Sequence, residues 1–154
     1  MNIFVLAFLI GVVAGLRSMT APAVVSWAAR LGWIHLEGTP LAFLGYAATP
    51  WIVSVLALAE LVADQLPKTP SRRTPGPFAA RVVMGALCGA ALGAAAGEIL
   101  GGIFAGALGA IAGTLGGYEF RTRLARAAGR DLPIALLEDA IAIGGGLLIV
   151  SRLF

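Results

Sequence analysis

The sequence predicts an all-α fold, a polytopic transmembrane helix bundle with about five spans. Hydrophobic residues make up 59% of the chain and charged residues 12%, about half the charged share of an average soluble domain. Runs without Asp, Glu, Lys or Arg recur at 1–16, 38–59, 82–97, 99–118 and 140–151. Because a water-soluble domain of this size could not bury so much apolar surface, we expect residues 1–154 to form a single transmembrane domain.

A hydrocarbon core about 30 Å thick needs about 20 helical residues. The first two predicted spans are shorter than that, so we expect tilt or local thinning of the bilayer around them. No Lys or Arg precedes the N-terminal apolar run, which we interpret as a retained span rather than a signal peptide. The predicted spans are 2–17, 50–66, 78–98, 100–118 and 133–151.

Short helical pieces are predicted between the first two spans. Thr39-Pro40 and Thr49-Pro50 are typical of an N-cap followed by proline in the first helical turn. The apolar pieces bounded by these signals are too short to span a membrane, and we interpret them as re-entrant or interfacial helices. A sixth span inside 38–59 is the alternative. The two pieces are 21–33 and 40–47.

Basic residues predict the orientation of the chain. With five spans, two segments on one side carry most of the Lys and Arg, and Arg17, Arg30 and Arg152 lie on the other. The positive-inside rule then places the N-terminus in the cytoplasm and the C-terminus outside. The basic residues of the two cytoplasmic segments are Lys68, Arg72, Arg73, Arg81, Arg121, Arg123, Arg126 and Arg130.

Glycine recurs at four-residue spacing in the third span and in a similar pattern in the fourth. Such spacing lets two helix backbones approach closely, so we predict a tight helical hairpin built on a glycine zipper. A glycine-lined pore is the alternative. The predicted packing glycines are Gly85, Gly89, Gly93, Gly97, Gly106, Gly109 and Gly113.

Four carboxylates lie within apolar spans. Glu60 and Asp64, four residues apart, share one helix face. Glu138 and Asp139 lie near the start of the last span. Carboxylates are costly inside a membrane and usually face a partner or water, so we predict that they couple ions or protons. The alternative is a structural ion-pair network with Lys68, Arg72, Arg73 and Arg121.

Two segments predict anion binding. Arg17, Ser18 and Thr20 surround the start of a new helix, where free N–H groups favour an anion. A proline-stiffened loop carries Lys68, Arg72 and Arg73, which could hold phosphate. A headgroup anchor at Arg17 and a purely topogenic loop are the alternatives.

Two local similarities suggest an internal repeat. Residues 11–15 resemble 109–113, and 57–60 resemble 135–138. A repeat of 2–66 with 100–151 would be inverted, as in many transporters. Glu60 and Glu138 do not match an inverted repeat well. Both are expected near the cytoplasm, whereas an inverted repeat would place them at mirrored depths in the membrane.

Three segments resemble a family of small bacterial integral membrane proteins designated as a domain of unknown function. They are 15–22, 60–72 and 138–143, and the second is the most specific. The resemblance covers most of the chain and implies a bacterial inner (plasma) membrane protein. It brings no established activity, so no residue role is carried over from it.

Together these features predict a small inner-membrane transporter or channel for an ion or small anionic solute. A membrane scaffold or assembly protein is the first alternative, and an enzyme acting on a lipid phosphate is the second. Association into a homo-oligomer is left open. With one cysteine, Cys88, and one histidine, His35, we expect no disulfide, metal or cofactor. Basic residues in short loops do not predict nucleic-acid binding, and the expected partners are the lipid bilayer and the solute.

Overall fold

The computed structural model describes residues 1–64 and 74–153, and this part of the chain is built from helices alone. A 3₁₀ helix, Ala42–Gly45, joins the second and third α-helices. The all-α prediction is therefore confirmed for the described residues. The α-helices are α1 (Ile3–Leu16), α2 (Thr20–Arg30), α3 (Thr49–Ala63), α4 (Pro75–Ala95), α5 (Ile99–Ala128) and α6 (Leu132–Ser151).

Within the described ranges, three helices are long and apolar enough to cross a membrane: α4, α5 and α6. The prediction of five such spans is therefore too high. The first two predicted spans became α1 and α3, which have 14 and 15 residues. At 1.5 Å per residue they are about 21 and 22 Å long, less than a typical hydrocarbon core. The last two residues of the predicted span 50–66 lie outside the described residues.

α1 runs parallel to α5, and this relation corrects the predicted topology. Phe4 lies at Gly101, Gly11 lies at Gly106, and the end of α1 lies at Thr114. The chain therefore starts at the end of the bundle where α5 begins and α6 finishes. Both ends of the described chain lie at this end of the bundle, whereas five spans would place them at opposite ends.

The cause of this difference is α2, which adds one more reversal of the chain. Trp27 of α2 donates its indole N–H to the Ser54 hydroxyl of α3 at 3.0 Å, and Met19 lies beside Glu60. Because residue numbers increase along α2 where they decrease along α3, from Met19 beside Glu60 to Trp27 beside Ser54, the two helices are antiparallel. Eight of the eleven residues of α2 are buried, so the predicted short helix is an enclosed element rather than a surface one.

Glycines hold α1, α4 and α5 together at short distance. A Cβ at Gly85, Gly89 or Gly93 would overlap α5, and Gly109 and Gly113 lie against the backbone of α1. Close backbone approach replaces side-chain interdigitation in this core. Gly106 is enclosed on two sides, by Gly11 of α1 and by Gly85 and Gly89 of α4.

Gly97 does not take part in this packing, contrary to the prediction. It lies in the turn between α4 and α5, and no atom of another segment would meet its Cβ within 4 Å. Its φ of 77° is in the left-handed region that glycine adopts without strain. Gly97 therefore continues the four-residue spacing because the turn needs a glycine at this position. It does not contact another of the described helices.

The outer surface of α5 is apolar. Leu100, Phe104 and Leu108, which recur every four residues, are 72%, 68% and 60% exposed. A stripe of large exposed apolar side chains opposite a glycine face is expected of a helix whose outer side meets lipid. The basic end of the bundle is where α5 finishes, at Arg121, Arg123, Arg126 and Arg130.

Candidate functional site

The site begins at the break between α1 and α2. Helix α1 ends at Leu16 and α2 starts at Thr20, which leaves backbone amides without helical partners. The Glu60 carboxylate of α3 accepts hydrogen bonds from the N–H groups of Ser18 and Met19, both at 2.8 Å. The Ser18 hydroxyl donates to the same carboxylate at 2.7 Å. Two backbone donors at the break are thereby satisfied by one side chain.

The carbonyl groups at the end of α1 are satisfied from α4 and α5. Arg81 Nη1 donates to the carbonyl oxygens of Gly15, at 3.0 Å, and Leu16, at 2.8 Å. The Thr114 hydroxyl donates to the Gly15 carbonyl at 3.2 Å. Backbone groups left unpaired inside a membrane protein cost several kcal/mol each, so these side chains make an enclosed helix break tolerable.

Arg17 joins the break to α3 and α6. Its side chain is fully buried, and its Nε donates to Asp139 Oδ1 at 2.6 Å. Its Nη atoms pair with the carboxylates of Asp64 and Asp139, and Nη2 lies 3.8 Å from Glu138. Buried charges require such pairing, because desolvation of an isolated ion costs several kcal/mol.

A second guanidinium approaches the carboxylates of α6 from α5. Arg121 Nη1 lies 3.6 Å from Glu138 Oε2, and Arg121 also donates to Asp131 at 2.7 and 3.0 Å. Asp131 is exposed at the start of α6. The Arg121 side chain, 17% exposed, thus bridges the buried part of the bundle to its basic end.

These charged groups form one unit, called here the ion-pair cluster. It draws side chains from the α1–α2 junction and from α3, α4, α5 and α6. Among the described residues its carboxylates outnumber its guanidinium groups by one. The members are Arg17, Arg81, Arg121, Glu60, Asp64, Glu138 and Asp139.

The four predicted carboxylates thus lie together, at the same end of the bundle. Arg17 was expected on the opposite side of the membrane, yet it lies at their centre, because α1 runs in the opposite direction to the one predicted. Its partners are carboxylates of the same chain rather than an external anion. Thr20 is buried, and within the described residues its hydroxyl has no hydrogen-bond partner. The predicted residues Lys68, Arg72 and Arg73 lie outside the described residues.

Sequence reasoning missed Arg81 and Thr114. Arg81 was counted as a loop charge, yet it is 5% exposed and lies two turns inside α4. A single arginine followed by sixteen uncharged residues was a signal that it belongs to the span. Thr114 is the one residue with a hydroxyl group in the apolar run 99–117. Its role could not be deduced without knowing that α1 lies beside it.

The cluster can hold charge, but nothing in it is arranged as a metal centre. Within 1–64 and 74–153, no group of three or more His, Cys, Asp or Glu side chains is placed to hold a metal ion. A cavity of about 140 Å³ lies elsewhere, at the far end of α2, lined by Ala29, Leu36, Glu37 and Tyr46 among others. It shares no residue with the ion-pair cluster.

Comparison with known proteins adds no relative. No protein-family model, curated protein or solved structure matches the chain. Three helices long and apolar enough to cross a membrane are consistent with a membrane protein, and its function has to be argued from the ion-pair cluster and the helix break.

Proposed function

We propose that this protein is a small inner-membrane transporter or channel for an ion or small anionic solute, with the ion-pair cluster as its coupling site. The observation that carries the proposal is the grouping of four carboxylates around the buried side chains of Arg17 and Arg81, among the residues that the structure describes. Carboxylates held close together away from water favour the uptake of a proton or cation by one of them. Uptake and release of that proton or cation would be the coupling event.

The helix break supports the same proposal. Discontinuous helices in transporters place free amides and carbonyls beside the transported species. Here the junction of α1 and α2 lies directly against Glu60. A purely structural cluster would need no break, because a continuous helix satisfies its own backbone groups.

The alternatives draw less support from the geometry. Scaffold association through glycine faces would need those faces on the outside, but Gly85, Gly89, Gly106 and Gly109 are used inside the chain. An enzyme acting on a lipid phosphate would need carboxylates free to hold a metal, whereas these four face guanidinium groups.

Flux through proteoliposomes tests the proposal. Proton flux under an imposed membrane potential is recorded with a pH-sensitive dye inside the vesicles, with sodium chloride, formate or phosphate outside. We expect a pH-dependent flux that falls at least tenfold in Glu60→Gln and Glu138→Gln. Glu119→Gln, which removes an exposed carboxylate paired with Arg123, is the matched control and should retain it. Equal flux in all three variants and the parent chain would reject the coupling role.

A further inference from the structure

Glu60 is held in the way a receptor holds a small carboxylate. One oxygen accepts from the Ser18 N–H and hydroxyl, and the other accepts from the Met19 N–H, all between 2.7 and 2.8 Å. Both oxygens of the planar group are therefore bound by the junction of α1 and α2. This set of donors, together with Arg81, is called here the carboxylate cradle.

The cationic member of the cradle is positioned independently of Glu60. Arg81 is buried, and its Nη1 is fixed by the carbonyl groups of Gly15 and Leu16. Its Nη2 lies 3.8 Å from Glu60 Oε1, beyond hydrogen-bond distance. The guanidinium would therefore remain in place, with its positive charge directed at the cradle, if Glu60 withdrew.

The occupant of the cradle comes from a different and less embedded helix. The donors belong to the α1–α2 junction and to α4, within the closely packed part of the bundle. Glu60 belongs to α3, in which Pro50 and Ala57 are the buried residues of fifteen. A helix with so little buried surface is held mainly by its polar contacts, and these include the pairing of Asp64 with Arg17 as well as the bonds of Glu60 to the cradle.

We propose that the cradle is the recognition site for the carboxylate group of a small solute and that Glu60 is its internal placeholder. Withdrawal of Glu60 would expose two amides, one hydroxyl and a guanidinium to the incoming carboxylate. This inference rests on the proposed transport function, since it names the class of solute. It also makes a claim about binding that holds whether or not transport occurs.

Thermal unfolding of the purified full chain in detergent tests this claim. Each variant is heated in sodium formate, sodium acetate or sodium chloride at equal concentration. Glu60→Ala empties the cradle, whereas Glu60→Gln fills it with a neutral group of the same size. We expect formate and acetate to raise the Tm of Glu60→Ala by about 2–4 °C over chloride, because a ligand that binds only the folded state stabilises it. The parent chain, Glu60→Gln and Glu119→Ala should show no such difference.

The second readout is the effect of removing one donor. Adding Ser18→Ala to Glu60→Ala should reduce the formate shift by at least half. Equal Tm values for Glu60→Ala in formate, acetate and chloride would overturn the proposal. If Glu60→Ala does not survive extraction in chloride, its recovery is compared with extraction in formate, and equal loss in both overturns the proposal.

The two proposals can fail separately. A formate shift in Glu60→Ala without flux in proteoliposomes would leave the cradle as a binding site and reject transport. Flux that depends on Glu60 and Glu138 without a formate shift would leave the coupling role and reject the cradle.

Discussion

Arg17 and Asp139 are 122 positions apart in the chain, yet Nε of Arg17 donates a 2.6 Å hydrogen bond to Oδ1 of Asp139 inside the bundle. The contact joins the end of α1 to the second turn of α6. Both side chains are buried, so each removes the desolvation cost of the other. The packing of α1 against α6 therefore depends strongly on Arg17 and Asp139.

Removal of Arg17 should destabilise the fold more than removal of Asp139. We expect Arg17→Gln to lower the free energy of unfolding by about 3–5 kcal/mol, because carboxylates stay buried without their cation. Asp139→Asn should cost less, because Asp64 still pairs with Arg17. The double variant should cost less than the sum of the two single variants. Unfolding in mixed micelles measures all three, with the exposed Arg30→Gln as control. Strict additivity would show that the two side chains do not interact.

A methyl group at Gly106 should not be accommodated. Its Cβ would overlap the Gly85 carbonyl oxygen and lie 2.9 Å from the Gly89 Cα, and both are backbone atoms that cannot turn aside. We expect Gly106→Ala to lower the Tm, whereas Gly116→Ala on the same helix, with nothing within 4 Å, should be neutral or should stabilise by up to about 1 kcal/mol. Similar effects at both positions would mean that α4 and α5 do not pack through glycine.

Arg81 should matter far more than an arginine on the surface. Arg81→Gln removes the donor to two carbonyl groups at the end of α1, and we expect a loss of at least about 2 kcal/mol. Arg123→Gln, at a side chain 77% exposed, should change stability by less than about 1 kcal/mol. Arg81→Lys should fall between them, because an ammonium group lacks the planar fork of donors. Unfolding monitored by tryptophan fluorescence compares the three.

Both ends of the described chain should lie on one side of the membrane. Single cysteines at Asn2 and Ser151 should react with a membrane-impermeant thiol reagent from the same side, and a cysteine at Arg126 should react from the other. Cys88 is buried and offers little background labelling. With the basic end in the cytoplasm, as the positive-inside rule predicts, Asn2 and Ser151 would be labelled from outside. Labelling of Asn2 and Ser151 from opposite sides would contradict the parallel packing of α1 and α5.

Local patterns were sufficient to predict the helices but not their directions. Proline after threonine located the start of α3 within one residue, since proline is favoured in the first turn of a helix. The direction of α1 depended on whether α2 reverses the chain. Eleven residues are too few to span a bilayer, so counting spans by length missed that reversal.

The sequence by itself determined that the chain forms apolar helices, some of them long enough to cross a membrane, with carboxylates in apolar segments, because composition and charge spacing along a helix are local properties. Only the tertiary structure decided which cations meet those carboxylates. Arg17, Arg81 and Thr114 acquire their roles from helices far away in the sequence, at distances set by glycine contacts between backbones. Such pairing depends on how whole helices pack, and no local pattern around a single residue encodes it.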